Sequence, residues 1–99
     1  MSKSIMQTGR YCFLCDKNGI FNEYETQEHH CLGGNNRKLS EHYGLKVYLC
    51  LEHHEGTYGV HGREGAENNR MLHELAQDAF MKRHGTKEDF IRIFGRAYK

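Results

Sequence analysis

The 99-residue chain contains no proline, no repeat and no serine-rich or low-complexity stretch. It therefore lacks the composition of an interdomain linker and reads as one domain. No apolar run approaches the ~18 residues of a membrane span, and the first residues lack the basic and apolar regions of a secretion signal. A cytoplasmic protein with no membrane partner is expected. Charge of one sign is lacking too: 14 Lys and Arg stand against 13 Asp and Glu, so net charge alone says little about a nucleic-acid partner. Hydrophobic residues make up 37% of the chain, enough for one small core that gains from a staple. The 27% of charged residues, without low complexity, argue against global disorder.

Against these absences stands a surplus of metal ligands, with four cysteines and eight histidines. Cys-x-x-Cys in a chain without an export signal reads as metal binding rather than as a disulfide framework. Cys12-x-x-Cys15 and Cys50-x-x-His53 form two half-sites, each able to place two ligands on one side of a turn. Together they complete a tetrahedral structural zinc site with no open position. Two other readings stand beside it, one of buried free cysteines with an unrelated histidine, the other of a four-cysteine site with Cys31 in place of His53. In the reading with two half-sites Cys31 is a small core residue or a bystander thiol.

The elements follow from pattern and punctuation. Residues 1–10 read as a flexible leader. Tyr11–Cys15 reads as a short strand running into the turn Asp16–Gly19, and Tyr24–Cys31 as a strand ending at His29-His30 and broken by Gly33-Gly34. The segment Arg37–Tyr43 is predicted helical, with Asn35 or Asn36 as N-cap and Gly44 as the stop. Lys46–Leu49 alternates as a second strand, and Cys50 opens a short helix ending at Gly56 or Gly59. Met71, Leu72, Leu75, Ala76, Ala79 and Phe80 mark an amphipathic helix ended at Gly85. Thr86-x-x-Asp89 resembles a capping box ahead of Phe90, Ile91, Ile93 and Phe94. The fold class is thus α+β: a small zinc-stapled core over 11–62 and a helical C-terminal extension over 63–99.

Three histidines, His29, His30 and His54, remain for chemistry, with His61 as a conditional fourth. His54 points about 100° away from His53 on a helix and is free for a second task. His29 and His30 face opposite sides of a regular strand and share a target only where the strand ends or bends. His61 lies seven residues past His54, and reaches the same ion only if Gly56 and Gly59 fold the chain back. A divalent ion (Mg²⁺, Mn²⁺, Ni²⁺ or Zn²⁺) held by His29 and His54, with His61 as a less certain third ligand, would polarise a phosphoryl oxygen. A neutral His30 beside it would act as general base. His42, His73 and His84 read as surface or helix-face residues. Lys82, Arg83, Lys87, Arg92, Arg96 and Lys99 outnumber Glu88 and Asp89 near the C-terminus, a pattern that suits a solvated helix face or a phosphate contact.

Cys-x-x-Cys, a strand ending in His-His, and Leu49-Cys50-x-x-His53-His54 resemble the zinc-containing HNH endonucleases of the ββα-metal fold. His29–Gly34, Asn36–Glu41, Tyr43–Leu45 and the closing Glu88–Phe90 and Ile93–Gly95 are similar to a small HNH-type group of bacteriophage and prophage genomes. The resemblance implies His30 as general base, His29 and His54 as ligands of the nuclease metal, and Cys12, Cys15, Cys50 and His53 as structural zinc ligands. It further implies metal-dependent phosphodiester hydrolysis leaving a 5′-phosphate and a 3′-hydroxyl, on double-stranded DNA approached at the minor groove. Phage packaging or recombination proteins would be its partners in a bacterial host cytoplasm. Arg37, Lys38 and Arg63 are candidate phosphate contacts. At the place of the family's middle asparagine this chain has Leu45, and Asn36 is the candidate to tie the loop that orients His30. A non-catalytic zinc-stapled nucleic-acid-binding or recombination-accessory module is the alternative, and a protein–protein adaptor a third. The histidines that a structural zinc does not use separate the first reading from the other two.

Overall fold

A computed structural model describes residues 3–99. Its elements are α1 (Phe13–Lys17), β1 (Gln27–His30), α2 (Arg37–Tyr43), β2 (Lys46–Leu49), α3 (Leu51–Glu55), α4 (Ala66–Arg83) and α5 (Lys87–Phe94), with a 3₁₀ turn over Gly34–Asn36 ahead of α2. The α+β class and the C-terminal helices are as the sequence predicts. No helix among the described residues is long and apolar enough to cross a membrane.

β1 and β2 form a two-stranded antiparallel sheet, pairing Gln27 with Leu49, Glu28 with Tyr48, His29 with Val47 and His30 with Lys46. Alternation along a strand then divides the site. Gln27 and His29 share the face of Val47 and Leu49, which are both fully buried. Glu28 and His30 share the opposite face with Lys46 and Tyr48. Adjacent histidines are thereby committed to different neighbours.

Three expectations from sequence are corrected. The segment after Cys12 is helical, not a strand: Cys12 caps α1, its sulfur accepting the Cys15 amide, because two ligands three residues apart meet one ion most readily from a helical turn. β1 begins at Gln27 rather than Tyr24, since Glu25 adopts a φ of 48° and breaks the extended run. Residues 3–10 of the expected flexible leader are anchored. The Ser4 hydroxyl donates to the Lys46 carbonyl, the Ile5 amide donates to Gly44 O, and Gln7 Oε1 accepts from the Tyr48 amide at 2.6 Å. A two-stranded sheet leaves an edge of unpaired backbone groups, and short polar side chains of the leader satisfy the edge of β2.

Leu32, Leu45, Leu49, Leu72, Ala76, Phe80 and Phe90 are buried in one core with the cysteines. Leu72, Ala76 and Phe80 are the innermost residues of the expected α4 stripe, while Met71, Leu75 and Ala79 pack beside them. Tyr43 lies edge-on to Phe80 and Phe94, tying α2 to the last two helices. The Thr86–Asp89 capping box is present in both directions, and buried Phe90 and Phe94 follow it, although Ile91 turns outward. Gly44 ends α2 in the left-handed conformation at φ 73°, as expected of a glycine stop.

Candidate metal centres

Cys12, Cys15, Cys50 and His53 converge into one cluster from α1 and from the start of α3. His53 Nδ1 lies 3.3 Å, 3.4 Å and 3.5 Å from the sulfurs of Cys12, Cys15 and Cys50, and the Cys15 and Cys50 sulfurs are 3.8 Å apart. A tetrahedron with Zn–S of about 2.3 Å and Zn–N of about 2.0–2.1 Å has edges of roughly 3.8 Å and 3.6 Å. The four ligands are therefore spaced to hold a zinc ion. Burial pushes the Cys15 thiol up to about 11, whereas backbone amides of Cys50 and Cys15 bring Cys12 below its ordinary value in spite of its burial. Three ionised thiols share this site only with a cation between them. Cys31 stays outside the cluster, buried against Met6 sulfur, its thiol pushed far up by burial. The four-cysteine alternative has no geometric support.

His29, His54 and His61 form a second cluster, with their ligating nitrogens within 4.8 Å of one another. His29 comes from β1 and His54 from α3. The turn 56–62 delivers His61, its amide donating to the His54 carbonyl and the Val60 amide to the His53 carbonyl. Those two bonds fold the chain back along α3 and bring the His54 and His61 rings to 4.7 Å between centroids. A Cβ at Gly62 would fall on the Gly56 carbonyl oxygen. Gly62→Ala is therefore expected to open this turn and lower metal affinity at the three-histidine cluster at least ten-fold. Zinc in the cysteine cluster should remain, and titration with Ni²⁺ or Mn²⁺ on the zinc-loaded protein checks both.

His29 Nε2 is buried and has no hydrogen-bond partner among the described residues. An orphaned acceptor of this kind costs about 1–3 kcal/mol unless something occupies its lone pair. His54 is oriented to join it, since its Nδ1 lies 2.7 Å from Gln27 Oε1 and so donates there, leaving Nε2 for a ligand. His29, His54 and His61 line an open cleft with Glu28, His30, Gly33, Gly34 and Arg37. The donor set thus suits a divalent transition ion with coordination positions open to the cleft.

Burial, and then the neighbouring His54 and His61, hold His29 down at about 4. A histidine depressed in the folded state takes up a proton more readily once unfolded. Its contribution to stability is full above the ordinary 6.5 and is lost as pH falls from there towards 4, roughly 3 kcal/mol in all. A dication bound there acts in the same direction. Between pH 7 and 4 the loss of stability measured by urea unfolding is expected to be larger in wild type than in His29→Phe by about this amount in total. The difference between the two proteins isolates His29, because the cysteine cluster loses zinc to protons in the same range.

His30 lies on the other face of β1. Its Nε2 is 2.8 Å from Glu41 Oε1, and Arg37 Nε is 3.4 Å from its Nδ1. Glu41 also pairs with Lys46, whose ammonium is 2.9 Å from Glu41 Oε2 and 3.1 Å from Glu28 Oε2. Burial alone would lower the Lys46 pKa, but the two carboxylates outweigh it and the value is raised. Asn36 makes no such contact with His30: its amide donates to the Phe94 carbonyl and ties the 3₁₀ turn to α5. Leu45, at the position resembling the family asparagine, is buried, and its carbonyl accepts from the Cys31 amide and the Ser40 hydroxyl. Ser40 also accepts from the Leu32 amide, so it joins the end of β1 to the start of β2. Arg37 and Lys38 line a shallow cleft with His30 and Glu41, while Arg63 is exposed on the turn after His61. His84 bonds the Tyr43 carbonyl and His73 packs against Tyr98, and neither belongs to either cluster.

No family model, curated protein or solved structure matches this chain.

Proposed function

We propose that the protein is a metal-dependent DNA endonuclease of HNH type, acting in phage DNA processing. The observation that carries this reading is the orphaned His29 Nε2 beside His54 and His61, with His30 as the next residue on the strand and bordering the same cleft. A closed zinc staple has no use for this second histidine set. The ββα-metal arrangement is supported by the β1–β2 hairpin followed by α3, with His29 on the strand and His54 on the helix.

His29, His54 and His61 would hold the divalent ion, which when bound supplies charge stabilisation for the phosphoryl group and the leaving oxygen. His30 takes a proton from the attacking water at Nδ1, once the Arg37 guanidinium that donates there turns to the phosphate, since its Nε2 faces Glu41. Arg37, at the rim of the same cleft, is placed to bind a phosphate oxygen, and Lys38 extends that positive edge. Gln27 keeps His54 turned toward the ion.

Supercoiled plasmid incubated with the zinc-loaded protein and added Mg²⁺, Mn²⁺ or Ni²⁺ tests the reading. Metal-dependent nicking with 5′-phosphate ends, lost in His29→Ala, is the expected result. DNA binding without cleavage of any DNA form, by protein that holds both ions, would instead support a zinc-stapled nucleic-acid-binding module.

A further inference from the structure

The group of residues on the His30 face of the sheet is assembled from three elements. Glu28 and His30 stand two apart on β1, Lys46 lies opposite His30 on β2, and Glu41 comes from α2. Lys46 is 3% exposed, and both carboxylates close on its ammonium. Glu28, His30 and Glu41 are close enough to hold a metal. However, an ammonium within 3.1 Å of both carboxylates already supplies the cation that such a site would bind.

Hydrogen-bond direction then sets the state of His30. An arginine Nε–H is only ever a donor, so at Nδ1 the imidazole must offer a lone pair. A neutral ring with its lone pair at Nδ1 carries its proton at Nε2, where the Glu41 carboxylate accepts it at 2.8 Å. Two independent partners thus require one tautomer. Lys46 holds Glu41 in turn, contacting both of its oxygens at 3.0 Å and 2.9 Å.

We infer that Glu41, clamped by the buried Lys46, is a positioning residue that locks His30 in the Nε2–H tautomer and leaves the basic lone pair at Nδ1, beside Arg37. The inference rests on the nuclease reading for its catalytic consequence, but not for the tautomer. It gives α2, the helix inserted between the two strands, a part in the site. When Nδ1 takes a proton, Glu41 also stabilises the resulting imidazolium, as a carboxylate behind a catalytic histidine does in hydrolase triads.

Glu41→Gln and Glu41→Leu separate charge from orientation. In Glu41→Gln the amide oxygen at the Oε1 position still accepts from both the Lys46 ammonium and His30 Nε2–H, so the tautomer is kept and only the charge is lost. In Glu41→Leu Nε2 has no acceptor and the tautomer is no longer fixed from that side. Glu41→Leu is expected to lower kcat for plasmid nicking by 100-fold or more with KM within two-fold, and Glu41→Gln by about 10-fold. In a His30→Ala background neither should cost anything further, whereas a merely structural role would add its loss to that of His30→Ala. Long-range ¹⁵N spectra of the imidazoles should show Nε2–H for His30 in wild type and in Glu41→Gln, and a population of Nδ1–H in Glu41→Leu. Additive losses, an Nδ1–H tautomer in wild type, or a third bound ion that Glu41→Leu removes would overturn the assignment. The same tautomer pattern, found with a wild type that cuts no DNA, would sink the nuclease reading and leave the positioning role standing.

Discussion

His30→Ala is expected to reduce metal-dependent DNA cleavage by about 10²–10⁴-fold, the range that a positioned general base contributes. The argument turns on what the substitution leaves alone. His30 belongs to neither metal cluster, and its strand neighbour His29 faces the opposite side of the sheet. Both ions should therefore stay bound, and the hairpin register, set by the Val47 and Leu49 face, should be unchanged. KM should move little, because Arg37 and Lys38 remain to bind phosphate. The loss is one of kcat. Cleavage by the variant at the wild-type rate would mean that another group activates water, and Arg37 would then be only a rim cation. Glu41 is left paired with Lys46, so removing the imidazole strands no buried charge.

The second large effect is on folding. Cys15→Ser is expected to abolish tight zinc binding and cooperative unfolding together, leaving a chain without a fixed tertiary structure at 37 °C. Structural zinc contributes about 10–16 kcal/mol of apparent binding free energy in small domains, against a net stability of about 5–15 kcal/mol for a whole domain. The cluster joins α1 to α3 across the sheet, and Cys12, Cys15 and Cys50 are themselves buried core residues. Removing the ion leaves thiols such as Cys15 and Cys50, with sulfurs 3.8 Å apart, without the cation that would offset their mutual repulsion when ionised. Thermal melts followed by circular dichroism, with zinc content measured in parallel, check this. A melting temperature within a few degrees of wild type after complete zinc removal would show the cluster to be dispensable for the fold.

The four-ligand cluster is readable from spacing because each half-site is local: two ligands three residues apart need only one turn of backbone to converge. The same locality made the ends of α2, β2 and α3 legible from Gly44, the Lys46–Leu49 alternation and Gly56. His61 was legible only as a conditional, since its place depends on the Val60 and His61 amides finding the carbonyls of His53 and His54. The anchoring of the leader is not legible in the sequence because Ser4 and Gln7 bind backbone of β2 about forty residues away, a match that composition does not encode. Glu41, Lys46 and Gln27 escaped for the same reason. Each looks like an ordinary polar surface residue until strand pairing puts Lys46 opposite His30 and the helix lays Glu41 over both. Lys46 carried one signal, since it opens a strand whose every other position packs inward or beside the core. Asn36, the candidate for the role of the family's middle asparagine, sends its amide to Phe94, 58 residues on, a contact that no local pattern encodes.

The claim on which the rest depends is that the chain holds two ions in different chemical settings. Native mass spectrometry of the protein purified with zinc and then supplied with Ni²⁺ tests it most directly. The expected result is two ions per chain, one of them lost in His29→Ala and both lost in Cys15→Ser. A wild-type chain that never holds more than one ion would contradict the account, because His29, His54 and His61 would then have no metal to share.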